Sequence, residues 1–303
     1  MAATSLSHLY GQLSSNNICS PPILNRSRSF YRPIVSMTTI MEQQNKSYWA
    51  AIETQIDTHL KKSMPIRPPT SVFVPLHHLT FSASKSTAPP LCIAACELVG
   101  GFADDAVTAA SAIHLMHAAA FTHQHLQLSD GPMHEGSTVE HMFKPNIELL
   151  TPDGMVPFGF ELLGLSEQAQ KNSDRILRVI IEISRAVGSQ GVVDGMYQEI
   201  LHGKLKGVDD EEMMMYVCEK KEGELHACAG ACGAILGGGS EEEIEKLRKY
   251  GFYVGMIQGM LNGIGKNKQE RFEIVKKLKD LALKELELFQ GKNVDQISTL
   301  LEM

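Results

Sequence analysis

Apolar positions recur at helical intervals along most of the chain. From about Ser47, the run Tyr48-Trp49-Ala50-Ala51-Ile52-Glu53 opens a pattern that continues to Lys61-Lys62 and stops before Pro65, predicting a first helix. A Pro- and Ser-rich stretch from Met64 to Pro90 is expected to be a loop. Between Asp174 and Gly188, Ile176, Ile180, Ile183 and Val187 repeat, with Leu177 and Ile181 apolar beside them. Val179-Ile180-Ile181 alone would read as a strand, but the length of the pattern, with Asp174 to cap it and Gly188 to end it, predicts a buried helix. Phe272, Val275, Leu278, Ala282, Leu286 and Phe289 form one apolar stripe amid Lys and Glu, the mark of an amphipathic helix. Gly237-Gly238-Gly239 stops one helix, and Ser240 and Glu243 have capping-box spacing for the next. The Asp-Gly pairs at 130, 153 and 194 predict turns, none of them between two alternating runs. With no βαβ rhythm and no strong internal repeat, the expected fold class is all-α, in one domain.

Composition narrows the setting. The chain has 303 residues, 28 Lys+Arg against 35 Asp+Glu and a net charge of −7, so it has no general basic field to attract a phosphate backbone. No stretch approaches the roughly 18 uninterrupted apolar residues that cross a bilayer, so membrane insertion is not expected. Residues 1–41 hold no Asp or Glu, while Ser5, Ser7, Ser14, Ser15, Ser20, Ser27, Ser29 and Ser36 recur beside Arg26, Arg28 and Arg32. That is the composition of an organellar transit peptide, and its serines favour the plastid over the mitochondrion. A tail with no targeting role is the duller alternative. On the first reading residues 1–41, with Cys19, are removed and the folded domain occupies 45–303.

Six cysteines are too few for a disulfide scaffold, but four of them repeat one spacing: Cys92-Ile-Ala-Ala-Cys96 and Cys228-Ala-Gly-Ala-Cys232. Residues four apart share a helical face, so each pair presents two small soft side chains to a neighbour, with Ala94, Ala95, Ala229, Gly230 and Ala231 permitting close approach. Three readings stand: partner recognition, small buried hydrophobes, and a zinc site, the last disfavoured because structural zinc ligands sit on closely spaced turns. A disulfide within a pair fits i,i+4 geometry poorly. His114, His117, His123 and His125 pose a similar choice between a metal cluster and polar lining.

The segments Leu91 to Gly101, Ala112 to His123 and Gly233 to Gly239, in that order, resemble the trans-prenyltransferase family, above all its plant geranylgeranyl diphosphate synthase branch and the small subunits that accompany it. The resemblance covers about residues 45–303. It implies long antiparallel helices around a central cavity, usually paired as a dimer, and a reaction that joins isopentenyl diphosphate to an allylic diphosphate. In such enzymes Mg²⁺ ions held by two aspartate-rich motifs neutralise the departing pyrophosphate, work suited to a hard cation with oxygen ligands.

This chain departs from that pattern at each contact. Gln124 and His125 stand at the paired aspartates of the first motif and only Asp130 matches the third; Gln258, Gly259 and Asn262 replace all three of the second. The Gly-Lys-Arg element that grips isopentenyl diphosphate becomes Ser84-Lys85-Ser86, with Ala88 where a further Arg is usual. The Arg-Arg pair gives way to the run Gly131 to Glu135, which loses two guanidinium forks, and Lys-Thr becomes Lys221-Glu222. The expectation is a chain with no catalytic residues and no metal site of its own, bound as a regulatory subunit to a catalytic large subunit that carries the Mg²⁺, in a heterodimer or heterotetramer. Cys92, Cys96, Cys228 and Cys232 are the expected partner-binding residues, since the resemblance implicates such pairs in recognition. The rival reading is an active short-chain prenyltransferase with His125, Asp130 and Asn262 as divergent ligands.

Overall fold

The computed structural model describes residues 37–126, 142–203, 211–262 and 268–302, and all regular structure among them is helical. The chain runs through α1 (Met37–Ser63), α2 (Thr70–Ser82), α3 (Ala88–Val99), α4 (Ala103–Gln124), α5 (Pro145–Leu165), the short α6 (Glu167–Lys171), α7 (Ser173–Val187), α8 (Val192–Gly203) and α9 (Glu211–Cys218). A π-helical turn at Glu219–Gly223 leads into α10 (Glu224–Gly237), followed by α11 (Glu241–Leu261), α12 (Lys268–Glu285) and α13 (Val294–Ser298). The all-α expectation holds, and among the described residues no helix is long and apolar enough to cross a membrane.

Two helices have almost no polar face and therefore form the centre. In α10 every residue from Leu225 to Leu236 is buried, and in α3 all from Ala88 to Cys96 are. Glycine lets them touch backbone to backbone: a Cβ on Gly233 would stand 2.0 Å from the Cys92 carbonyl oxygen, and one on Gly237 2.6 Å from that of Cys96. On the other side of α10, Gly251 and Gly255 of α11 meet the carbonyls of His226 and Glu222, each at 2.2 Å from a notional Cβ. Glycine costs a helix interior about 1 kcal/mol against alanine, and here close packing offsets it. Around this hub, Arg248 of α11 forks onto Glu182 of α7 at 2.6 and 2.8 Å. The Trp49 indole of α1 donates to Thr299 Oγ1 at 2.8 Å, tying the carboxyl-terminal segment across the first helix.

Several local expectations give way to tertiary context. The first helix starts at Met37 rather than near Ser47. The stretch expected as a loop contains α2 and the start of α3. Pro89 and Pro90 lie in the first turn of α3, where the missing N–H has no intrahelical acceptor to lose, and Pro75 is buried in α2 beside Leu76 and Leu79. Asp153-Gly154 and Asp194-Gly195 are not turns but lie inside α5 and α8. Gly195 is held against Lys220 and Lys221, and Asp194 accepts the Tyr216 hydroxyl at 2.7 Å, contacts that outweigh the dipeptide's turn preference. The pair at 130 lies outside the described residues.

The helix expected from Asp174 begins at Ser173 with Asn172 at its N-cap, so Asp174 sits in the first turn, where its charge complements the helix dipole. That helix is buried on one side only: Ile176, Val179, Ile183 and Ala186 face the core, while Leu177 and Ile181 are 59% and 42% exposed. The carboxyl-terminal stripe is likewise shorter than expected. Val275, Ala282, Leu286 and Phe289 are buried, but Phe272 is exposed, and Leu286 to Phe289 form a 3₁₀ turn after α12. The capping box forms as expected, with Ser240 Oγ accepting from the Glu243 N–H at 3.2 Å and Glu243 from the Ser240 N–H at 2.8 Å. Gly238 takes the left-handed conformation, φ +80°, that closes α10.

Candidate functional site

Part of the region that would hold substrate and metal in a prenyltransferase lies where the start of α3, the π-helical turn with α10, and the end of α11 converge. Their polar groups are turned on one another. The Thr87 hydroxyl, at the N-cap of α3, lies 2.6 Å from Gln258 Oε1 of α11 and 3.0 Å from His226 Nε2 of α10. His226 Nδ1 donates to the Glu222 carbonyl at 2.8 Å. Burial pushes the His226 imidazole down to about 4, outweighing its bond to the Glu222 carbonyl and a Glu222 carboxylate oxygen 3.9 Å from Nδ1, so the ring is neutral near pH 7. Three helices are thus cross-linked through three uncharged side chains.

No cradle for a divalent cation remains among these residues. Gln258 offers an amide already engaged by Thr87, and Asn262 is exposed at the C-cap of α11. Gly259 offers nothing, and a Cβ there would stand 2.4 Å from Cys218 Sγ and 3.1 Å from Glu222 Cγ. Glu222 is the one carboxylate in the network. Burial raises its carboxyl, with His117 and Lys221 pulling the other way, so it resists the charged form a metal ligand needs. Magnesium does not fit this donor set, and among the described residues no three His, Cys, Asp or Glu side chains gather as a metal site. Asp130 and the run Gly131 to Glu135 lie outside the described residues.

The two lysines that could meet a diphosphate are each paired within the chain. Lys85 bonds Glu53, and Lys221, only 10% exposed, bonds Glu199 at 2.8 Å. The four histidines singled out by sequence each bond a main-chain carbonyl: His114 to Thr80 at 3.0 Å, His117 to Ser84 at 2.9 Å, His123 to Leu149 at 3.3 Å and His125 to Phe121 at 2.8 Å. A ring nitrogen that donates to a carbonyl has no lone pair there for a metal.

Cys92, Cys96, Cys228 and Cys232 are all buried, on the facing helices α3 and α10. Cys228 Sγ lies 3.7 Å from Cys232 Sγ, and Cys96 Sγ donates weakly to the Phe102 carbonyl at 3.4 Å. All four are free thiols, and burial raises Cys96 to about 12 and lifts Cys92 and Cys232 well above their usual values. Cys232 Sγ also meets the Val179 carbonyl of α7 at 3.9 Å, so the neighbours of these sulfurs lie within the same chain. Sequence reasoning missed Thr87 and His226. Nothing in sequence points to Thr87, whereas the four-residue spacing of Glu222 and His226 places both on one helical face and could have flagged the second.

No protein-family model matches the chain. It is 48% identical over 277 residues to a chloroplastic heterodimeric geranylgeranyl pyrophosphate synthase small subunit from Cannabis sativa, an alignment covering 88% of this chain and 96% of that one. Its fold superposes on the geranyl diphosphate synthase small subunit of Antirrhinum majus with a TM-score of 0.78 and 52% identity, covering 86% of this chain and 99% of that one. A mint heterotetrameric geranyl pyrophosphate synthase gives a TM-score of 0.75 at 50% identity, over 84% and 99% of the two chains. With its substrate contacts replaced and its helical frame intact, the chain belongs to the family of small subunits of heterodimeric geranyl and geranylgeranyl pyrophosphate synthases.

Proposed function

We propose that this chain is a non-catalytic regulatory subunit of the plastid. It binds a catalytic geranylgeranyl diphosphate synthase large subunit, as a heterodimer or heterotetramer, and shifts that enzyme's product toward the ten-carbon geranyl diphosphate used for monoterpenes. The observation that carries the reading is Gly259: where an aspartate would reach for Mg²⁺, a bare backbone is packed against Cys218 and Glu222. The Mg²⁺ of the reaction belongs to the large subunit. Docking against that subunit alters the depth or closure of its product cavity, and a coupling of about 1 to 3 kcal/mol between release and further elongation suffices to change the dominant product.

Two finer points complete the proposal. Residues 1–41 act as the transit peptide, with the folded part from about residue 45. Cys92, Cys96, Cys228 and Cys232 contribute to partner binding through the close α3–α10 contact they shape, not through sulfur at the surface. The test mixes purified subunits and measures products: geranyl diphosphate should rise as this chain saturates the large subunit. An unchanged twenty-carbon distribution overturns the reading.

A further inference from the structure

Helices α4, α5, α7 and α8 leave an apolar cavity of about 450 Å³ between them, within the ~300 to 1,000 Å³ of small-molecule sites. Met116 and Ala120 of α4, Val156 and Phe160 of α5, Val187 of α7 and Met196 of α8 line it. Of these six only Met116 is buried, and the rest are half-buried, so apolar surface that the helices could have packed together is left on the cavity wall. Water there finds few hydrogen-bond partners, and the two methionines let the wall follow the shape of an apolar occupant.

Three polar side chains line the same space. Ser184 already donates to the Ile180 carbonyl at 2.7 Å. His123 and Asp153 stand together, with His123 Nε2 3.3 Å from the Leu149 carbonyl and 3.9 Å from Asp153 Oδ1. Met116 and His123 both line the cavity and are separated by about 10 Å along α4, at ~1.5 Å per residue. Two isoprene units ending in a hydroxyl also span about 10 Å, at ~1.2 Å per bond. A volume of 450 Å³ over that length is broader than an unbranched chain needs and leaves room for methyl branches. No Lys or Arg is among the described residues that line it, so a diphosphate would stand beside Asp153 with no such cation to meet its charge.

We propose that this cavity binds an uncharged isoprenoid alcohol of two isoprene units, with its hydroxyl donating to the Asp153 carboxylate and its branched chain against Val156, Phe160 and Met196. The site stands on this geometry alone. Its consequence rests on the functional reading above: in a chain that performs no chemistry the occupant is an effector, and its binding changes the product ratio of the assembled enzyme.

The test titrates the purified chain with geraniol by isothermal calorimetry, with 1-octanol and Mg²⁺-free geranyl diphosphate as comparisons. Geraniol should bind once per chain with a Kd of about 10 to 100 µM, the range open to a ligand of its size. Octanol should bind at least threefold and geranyl diphosphate at least tenfold more weakly. Ala120→Phe and Val187→Phe fill the cavity and should each weaken geraniol at least tenfold, with a melting temperature no lower than that of the unsubstituted chain. Val72→Phe, on the exposed side of α2, should stay within twofold. Asp153→Lys, at an exposed position, should tighten geranyl diphosphate at least fivefold and decides the matter if either Phe variant fails to fold. No geraniol binding by the unsubstituted chain, unchanged affinity in the folded Phe variants, no effect of Asp153→Lys, or geranyl diphosphate binding as tightly as geraniol overturns the site. The functional reading is separable: a chain that binds geraniol yet leaves the large subunit's products unchanged overturns that reading and keeps the site. A product shift that geraniol at ten times its Kd leaves within twofold overturns the effector role.

Discussion

Gly259 and Cys218 approach so closely that a Cβ on the glycine would stand 2.4 Å from the cysteine sulfur. A side chain at 259 requires the Cys218 sulfur of α9 to shift and the Glu222 side chain to give way. The loss of the second aspartate motif is therefore a change of packing as well as of charge.

Replacing Gly259 by Asp should accordingly destabilise the chain by about 3 kcal/mol, from overpacking together with burial of a carboxyl group, and restore no Mg²⁺-dependent turnover. Urea unfolding checks the first part and product analysis of the isolated subunit the second. Adding Cys218→Ala should recover part of the lost stability, because the two sites share one space and their effects do not add.

The buried cysteines should be inert in the native chain. With Cys96 and Cys218 pushed up to about 12 and Cys92 and Cys232 also raised, iodoacetamide at pH 8 should leave all four unmodified under conditions that label the urea-unfolded chain fully. Rapid native labelling at any of them, read by mass spectrometry, contradicts their burial, on α3 and α10 for Cys92, Cys96 and Cys232 and against α11 for Cys218. Cys228→Ser with Cys232→Ser should cost about 2 kcal/mol, more than the two alanine changes, because a hydroxyl needs a better hydrogen-bond partner than a thiol does.

Stability should fall with acid in a window set by His226. Its pKa is lowered in the fold to about 4, so above the unfolded value of 6.5 both states are neutral and the group contributes no pH dependence. Below 6.5 the unfolded chain takes up a proton that the folded ring refuses. Stability is then lost progressively down to about pH 4, by about 3 kcal/mol in total. Glu222, raised in the fold, acts in the opposite sense, since the folded state keeps its proton to higher pH than the unfolded state does. Urea titrations between pH 7 and 4 should therefore show a steeper decline in Glu222→Gln and a flatter one in His226→Gln. Equal slopes in the two variants would refute the assignment.

Ser240→Ala should remove one side of the capping box and cost about 1 kcal/mol, with Glu243→Gln costing less because the amide oxygen can still accept from the Ser240 N–H. Chemical denaturation of the two variants checks the order.

The comparison of expectation with structure follows the range of the interactions involved. Ser240, Glu243 and the glycines that end α10 were legible because a cap is satisfied within four residues of chain. Asp153-Gly154 and Asp194-Gly195 were misread as turns because each dipeptide's local preference is weaker than the packing of the helix that contains it. Pro89 and Pro90 were misread as loop although a first-turn position tolerates them. At the site, the replacement of five aspartates is legible through the resemblance to the prenyltransferases, whereas the link from Thr87 to Gln258 and His226 joins residues 171 and 139 positions apart and leaves no periodic trace.

Helical periodicity alone determined that this protein is all-α, and the sequence set beside the family it resembles showed five of six aspartate positions filled by other residues, because amphipathic pattern and charge are properties of the residues themselves. Only the tertiary structure decided that the paired cysteines are buried inside the chain, that a side chain at Gly259 would meet the Cys218 sulfur, and that a Cβ at Gly154 or Gly164 would meet nothing. The reason is that available space is set by which distant segments pack together, and two glycines identical in sequence differ only in what lies beside them.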